Sequence, residues 1–191
     1  VEPHFTLIVV SSADGYIARR AGEAPQSWAS PEEQALFFSE VEAADWSVMG
    51  RGTHEAADRP DRRRIVFSSA AGSGEWRRAT QFWVDPNNTT PERLADAVAE
   101  VRALERGLIL GGTRVHDWFL ERAAIHAVHL TVEPHRFAQG LPIFTAQKSS
   151  DPVAVFRNAG FEVVDQRRLN AGGTRHFLML PKTSAPTLSE P

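Results

Sequence analysis

Twice along this chain an apolar strand stops at glycine and a helix begins at once: Val48-Met49-Gly50-Arg51-Gly52-Thr53 and Ile109-Leu110-Gly111-Gly112-Thr113. Glycine lets a ligand approach the backbone, and a helix start offers unpaired N–H groups and the positive end of the helix dipole. Two such turns in one sheet could hold the pyrophosphate of a dinucleotide. Either one alone is equally an ordinary tight β–α turn. Neither is the spaced G-x-G-x-x-G of a Rossmann unit, because Glu55 stands where the third glycine would be.

The rest of the chain repeats the alternation. Residues 5–11 (FTLIVVS) are apolar and β-branched, as in a central strand covered on both faces. Residues 12–29 hold Asp-Gly, Ala-Gly and proline without a sustained period, and a loop of that length in a compact domain is usually functional or disordered. Ser30-Pro31-Glu32-Glu33 opens a helix to about Ala44, with an N-cap serine, proline at the first position and a capping-box glutamate. Strands are predicted at 46–49, 64–68, 81–84, 108–110 and 127–132. Helices are predicted from Thr90-Pro91 to Arg106-Gly107 and over 114–122. Residues 161–168 and 174–180 flank Asn170-Ala171-Gly172-Gly173 and read as a terminal antiparallel hairpin. Strands alternating with helices argue for a mainly parallel α/β sheet with an antiparallel edge. With no internal repeat or composition break, 1–180 is expected to be one domain and the Pro/Ser/Thr-rich 181–191 a disordered tail.

Composition narrows the function. A net charge of -3 gives no basic field for nucleic acid. The lack of cysteine removes disulfides, iron–sulfur and thiolate zinc sites and a cysteine nucleophile, and fits a cytoplasmic location. No window reaches the roughly 18 apolar residues of a spanning helix, so no membrane partner is expected. No metal site is expected: His126 and His129, three apart on a strand, point to opposite faces, and the other histidines lack ligand spacing. Gly72-Ser73-Gly74 is not a nucleophile elbow.

Ser68 and Ser69 end the strand after the first glycine turn, where α/β folds bind ligands. With Arg51 they could hold the 2′-phosphate that separates NADPH from NADH. Arginine supplies 19 of the 21 basic residues, so any single one is weak support for an anion site. Glu33 has two competing roles. It fits the capping box, and it also shares a helix face with Phe37, Val41 and Ala44, where partial desolvation would raise its pKa into the range of a proton donor.

Met49-Gly50-Arg51-Gly52-Thr53-His54-Glu55 followed by Arg64-Ile65-Val66-Phe67-Ser68-Ser69 resembles the cofactor region of dihydrofolate reductases. Leu110-Gly111-Gly112-Thr113-Arg114-Val115, Trp118-Phe119-Leu120 and His129-Leu130-Thr131 resemble the second half of that fold. Ser12-Ala13-Asp14-Gly15-Tyr16-Ile17-Ala18 and Gly140-Leu141-Pro142-Ile143-Phe144 are closer to the C-terminal reductase domain of the riboflavin-pathway deaminase–reductase and its stand-alone relatives. The resemblance implies a dihydrofolate reductase-like three-layer α/β fold and an NADPH-dependent oxidoreductase. Such an enzyme would reduce a small heterocycle of pyrimidine or pteridine type. A non-catalytic nucleotide-binding protein on the same scaffold is the rival, and a homodimer is left open.

By position, Gly50, Arg51, Thr53, Ser68 and Ser69 would hold the adenosine-phosphate end of NADPH. Gly111, Gly112, Thr113, Arg114 and Val115 would run along the pyrophosphate and nicotinamide. Trp28 and the loop before it would close over the pocket. Glu33 matches the pocket carboxylate, Thr131 the threonine that supports it, and Phe37 lies on the pocket side of the helix. Arg62, in the run Arg62-Arg63-Arg64, would reach a folate glutamate or a ribitol phosphate; a solvated edge is the alternative. Tyr16 stands where the riboflavin reductases carry lysine, and only residues 57–61 separate the helix after the first glycine turn from the arginine run. The heterocycle therefore stays open.

Overall fold

The computed structural model describes residues 2–183. Its elements in chain order are β1 (His4–Ser11), β2 (Tyr16–Ala18), α1 (Pro31–Ala43), β3 (Trp46–Gly50), α2 (Arg51–Ala56), β4 (Arg64–Phe67), β5 (Glu75–Arg78) and β6 (Gln81–Val84). There follow α3 (Pro91–Val98), β7 (Arg106–Gly111), α4 (Thr113–Glu121), β8 (Ala127–Val132), β9 (Leu141–Pro142), α5 (Pro152–Asn158), β10 (Phe161–Arg168) and β11 (Arg175–Pro181). Nine strands form one sheet in the order β10-β11-β8-β1-β7-β3-β4-β6-β5. The central six are parallel. The β10–β11 hairpin makes the expected antiparallel edge beside β8.

The opposite edge also ends antiparallel, in β5. The sequence does not announce β5, because all four of its residues are exposed and show no apolar alternation. Strand β1 lies near the middle and is buried on both faces. Phe5, Leu7 and Val9 join Leu94, Val98 and Phe119 of α3 and α4 in the main core. Ile8 and Val10 face the other way and line the cleft described below.

Two expectations change. The helix opened by Thr90-Pro91 stops at Val98, and Arg106-Gly107 belong to β7. Asp45 accounts for this: Oδ2 accepts the backbone N–H of Glu105 (3.2 Å) and Arg106 (2.9 Å), and Oδ1 accepts Arg102 Nη2 (3.0 Å). Trp46 Nε1 donates to Arg102 O at 2.8 Å. These bonds across about 60 residues draw the segment out of helical register, and no local propensity reports them. The stretch 12–29 is also not a bare loop. It contains β2, which pairs with β9 in a separate two-stranded sheet, and a 3₁₀ turn at Pro25–Ser27. Helix α5, which the pattern reading passes over, starts on the Asp151 side chain with Pro152 at its first position. Pro181 closes β11; residues 184–191 of the expected tail lie outside the described residues. Among the described residues no helix is long and apolar enough to cross a membrane.

Gly107 pairs with Phe5 in the parallel register of β1 and β7, and a Cβ there would lie 2.4 Å from the Phe5 ring. Phe5 is fully buried and cannot swing into solvent. Gly107→Ala should therefore destabilise the protein by about 1–3 kcal/mol in urea unfolding, through overpacking. A change within about 0.5 kcal/mol, the range of a neutral surface substitution, would show that the ring has room to move.

Candidate functional site

The carboxyl ends of the parallel strands open on one cleft. Its floor is apolar, from Ile8 and Val10 on β1, Met49 on β3 and Leu110 on β7. Its walls are Glu33, Gln34 and Phe37 of α1, residues 22–26, and Gly52, Thr53, Gly112 and His116 at the starts of α2 and α4. Ligands of open α/β sheets bind at this edge.

The two glycine turns lie side by side because β3 and β7 are neighbours. A Cβ on Gly50 would sit 3.5 Å from Val115 Cγ2, so this glycine lets the first turn of α4 pack against the end of β3. Cβ atoms on Gly52 and Gly112 would meet nothing within 4 Å, which leaves open space over both helix starts. A ligand can therefore come close to the backbone at both turns. The β3–β4 register pairs Gly50 with Phe67, so Arg51 and Ser68 leave the sheet as neighbours. Arg51 is exposed and, among the described residues, paired only with exposed Glu55 (3.1 Å), an ion pair cheap to exchange for a phosphate. Ser68 is buried, whereas Ser69 and Arg114 are exposed. Thr113 Oγ1 donates to Pro142 O at 2.6 Å, so that hydroxyl serves the protein first.

Glu33 is the one buried residue of α1, at 3% exposure. Ser30 Oγ accepts the Glu33 N–H (3.2 Å), which is half of a capping box. The other half is absent. The Ser30 N–H donates instead to Oε1 of Glu133, 2.8 Å away and 103 residues on. The Glu33 carboxyl is thereby released to the cleft, where Gln34 Nε2 donates to its Oε2 at 2.6 Å. Burial pushes its pKa up to about 7; the Gln34 bond opposes the rise and the nearby Glu133 adds to it. A carboxyl poised there can hold or release a proton near neutrality.

Not every expected residue reaches the cleft. Thr131 is buried on β8 between Val10 and His176, and no hydrogen bond joins it to Glu33 among the described residues. The side chain that secures the start of this helix is Glu133, two residues on. Trp28 does not line the cleft, because its ring packs edge-on against Phe137 at 4.9 Å; residues 22–26 form that wall instead. Arg62 lines an adjoining recess with Arg59, Phe38 and Val41 rather than the cleft itself. Phe37 borders both.

Besides Arg64 of the arginine run, two residues that pattern reading passes over do enter. His116 sits at the start of α4, fully buried, with Nδ1 2.8 Å from Ile143 O. Burial drives its pKa down to about 4, so the ring is neutral and Nδ1 carries the proton given to that carbonyl. Glu23 accepts Arg19 through its backbone N–H (3.0 Å) and its guanidinium (2.9 Å), which stiffens the 22–26 wall. Arg64, from the start of β4, lines both cleft and recess. For His116 the helical position after Gly111-Gly112 was a usable signal. For Glu23 and Arg64 only the tertiary fold reveals the placement.

No family model and no curated protein matches this chain by sequence. Its structure has the dihydrofolate reductase-like fold, shared with solved proteins over nearly the whole chain. A protein from Shewanella sp. PV-4 assigned to riboflavin biosynthesis superposes with a TM-score of 0.69 at 21% identity, covering 94% of this chain and 99% of that one. The Thermotoga maritima diaminohydroxyphosphoribosylaminopyrimidine deaminase/5-amino-6-(5-phosphoribosylamino)uracil reductase superposes at 0.69 and 18% identity. The match covers 95% of this chain, which spans 57% of that bifunctional protein. Enterococcus faecalis dihydrofolate reductase, complexed with NADP(H) and RAB-propyl, superposes at 0.62 and 18% identity over 95% of this chain and 98% of its own.

A carboxyl whose folded pKa is raised favours the fold while protonated. Its contribution is full below pH 4.5, the ordinary value for glutamate, and is lost as pH rises through about 7. Ionising Glu33 should thus cost the native state on the order of 3 kcal/mol by pH 8. Glu33→Gln should flatten this part of the pH dependence, becoming more stable than the parent at pH 8 and close to it at pH 5. Parallel urea curves for the two proteins across this range would instead show an ordinary, solvated carboxyl.

Proposed function

We propose that the protein is an NADPH-dependent reductase of a small pyrimidine- or pteridine-type heterocycle. The observation that carries this reading is Glu33, a carboxyl released from its helix cap, buried in the cleft and poised near neutrality beside the open glycine turns. NADPH, when bound, supplies the hydride. Gly52 and Gly112 give its backbone-facing parts room, the starts of α2 and α4 present N–H groups, and Arg51 with Ser68 and Ser69 holds the 2′-phosphate. The apolar floor and Phe37 hold the flat ring and exclude water, which strengthens the polar contacts that remain. The hydride goes to the carbon of a C=N bond or of the ring-opened ribose carbonyl, Glu33 gives its proton to the nitrogen or oxygen of that bond, and Gln34 keeps the carboxyl oriented.

The reductase activities named for the Thermotoga and Enterococcus proteins are the two reactions to compare. One acts on a phosphoribosylamino-uracil, the reading we prefer, and the other on dihydrofolate. NADPH oxidation assayed with each compound separates them, and oxidation with neither would leave a nucleotide-binding protein without catalysis.

NADPH should bind more tightly than NADH by roughly 1.5–3 kcal/mol, typical of one charge-assisted contact, and Arg51→Ala should remove most of that preference. Equal affinities in the unaltered protein refute the assignment. Glu33→Gln should lower turnover by roughly 10²–10⁴ while NADPH affinity stays near normal. The limb of the parent's rate profile that falls above pH 7 should vanish in the variant. Turnover equal to the parent's would move the proton source elsewhere.

A further inference from the structure

The nine-stranded sheet ends in an antiparallel strand on each side, and the two edges are finished differently. At β5, only four residues long, the charges are used within the chain: Arg77 pairs with Glu75 (2.7 Å) and Arg78 with Asp58 (2.8 Å). Trp76 leans back on Phe82, with 5.2 Å between ring centres. A short strand with committed charges is a blunted edge.

Strand β10 is twice as long, and residues 164–168 are exposed one after another, so neither face of that stretch is covered. Among the described residues no strand lies on its outer side. A row of free backbone N–H and C=O groups of this kind is a template for a further strand. Asp165 and Arg167 stand two apart, hence on one face, and neither has an ion-pair partner among the described residues. Arg168 is committed instead, its guanidinium donating to Asn170 O (2.8 Å) and Ala171 O (2.6 Å) at the following turn.

The order of these charges singles out an occupant. Along one strand the backbone groups facing the open edge belong to every second residue. In an antiparallel ladder, directly opposite residues aim those groups at each other. A strand that pairs with its own copy about a two-fold axis must therefore be centred on a residue, never between two. Centring on Asp165, Arg167 or Arg168 sets that charge against its own copy, which is unfavourable. Centring on Val164 falls on the bulge between Val163 and Asp165. Only Gln166 remains. Centred there, each Asp165 lies opposite Arg167 of the other copy, two opposite-charge pairs on one face, and Val164, 48% exposed, comes beside the second copy.

We propose that the outer edge of β10 is the docking surface for a second copy of this chain, joined antiparallel about Gln166 with Asp165 opposite Arg167, so that one sheet runs through both copies.

The test is sedimentation equilibrium of the full chain from about 1 µM to about 1 mM, the range of weak and transient interfaces. A reversible monomer–dimer equilibrium is expected, weaker at high salt. Arg167→Asp places Asp opposite Asp165 twice and should weaken association roughly 10–100-fold, and Asp165→Arg should do the same. The doubly exchanged chain, Asp165→Arg with Arg167→Asp, should return to within about threefold of the parent, because the pairs are restored. Both positions are exposed, and equal circular dichroism of the variants checks that each is folded. Hydrogen exchange should protect alternate amides of β10 at high concentration only. A monomer at every concentration overturns the proposal and leaves the edge to solvent or to another protein's strand. A dimer indifferent to both single reversals places the interface elsewhere and overturns it too. So does a double exchange that fails to restore association.

Discussion

The geometry of the cleft depends on the Glu133 carboxylate at the end of β8. One oxygen accepts the Ser30 N–H at the start of α1, and the other accepts Thr174 Oγ1 (2.6 Å) at the turn before β11. Helix α1 buries little apolar area, since its only buried residue is itself an acid and Phe38 is exposed, and its other polar ties, Glu40 to His129 (3.7 Å) and Asn170 Nδ2 to Glu32 (3.2 Å), lie farther along the helix or at the surface. An apolar stripe would have seated the helix by burying area, which is non-directional. A charged hydrogen bond to the first free amide seats it by position, and this fixes where Glu33 points. The same bond occupies the donor that the Glu33 side chain would otherwise cap. One carboxylate thus does the capping so that another can face the cleft.

Burial acts on the ionisable groups of the cleft in opposite senses. It raises Glu33 to about 7 and lowers His116 to about 4, so each approaches its neutral form. Glu23 keeps its charge because Arg19 and Arg20 pair with it. Arg64 has no neutral form to retreat to at ordinary pH. The cleft therefore combines one exchangeable proton with one fixed positive charge, on walls contributed by different elements.

Much of this was legible in the residues. The extents of β6, β8 and β10, the Ser30-Pro31 helix start and the glycine turns all follow from patterns within ten residues of each other. The residues offered two roles for Glu33, and where its side chain goes depends on Glu133, whose bond to Ser30 spans the chain. Likewise, Asp45 ends the expected helix early through partners about 60 residues away. Trp28 turns to Phe137 for a similar reason. Local propensity cannot register a hydrogen bond between segments that meet only once the sheet has formed. Arg64 was hidden differently, inside a run of three arginines whose members point to different environments.

The wall formed by residues 12–26 is anchored before any ligand arrives. Asp14, itself buried, gathers Ser12 Oγ (2.7 Å) and the amides of Phe137 (3.0 Å) and Ala138 (2.8 Å), while β2 is paired to β9. Strand β9 is in turn tied to α4, where Thr113 and His116 donate to the carbonyls of Pro142 and Ile143 and Asp117 accepts from Thr145. The helix that starts at the glycine turn and the strand at the root of the opposite wall therefore belong to one hydrogen-bonded unit. Association is weakened by every segment that must lose freedom as it occurs. Here the root of the wall has already lost that freedom in folding, so ordering it would take nothing from the affinity for a guest.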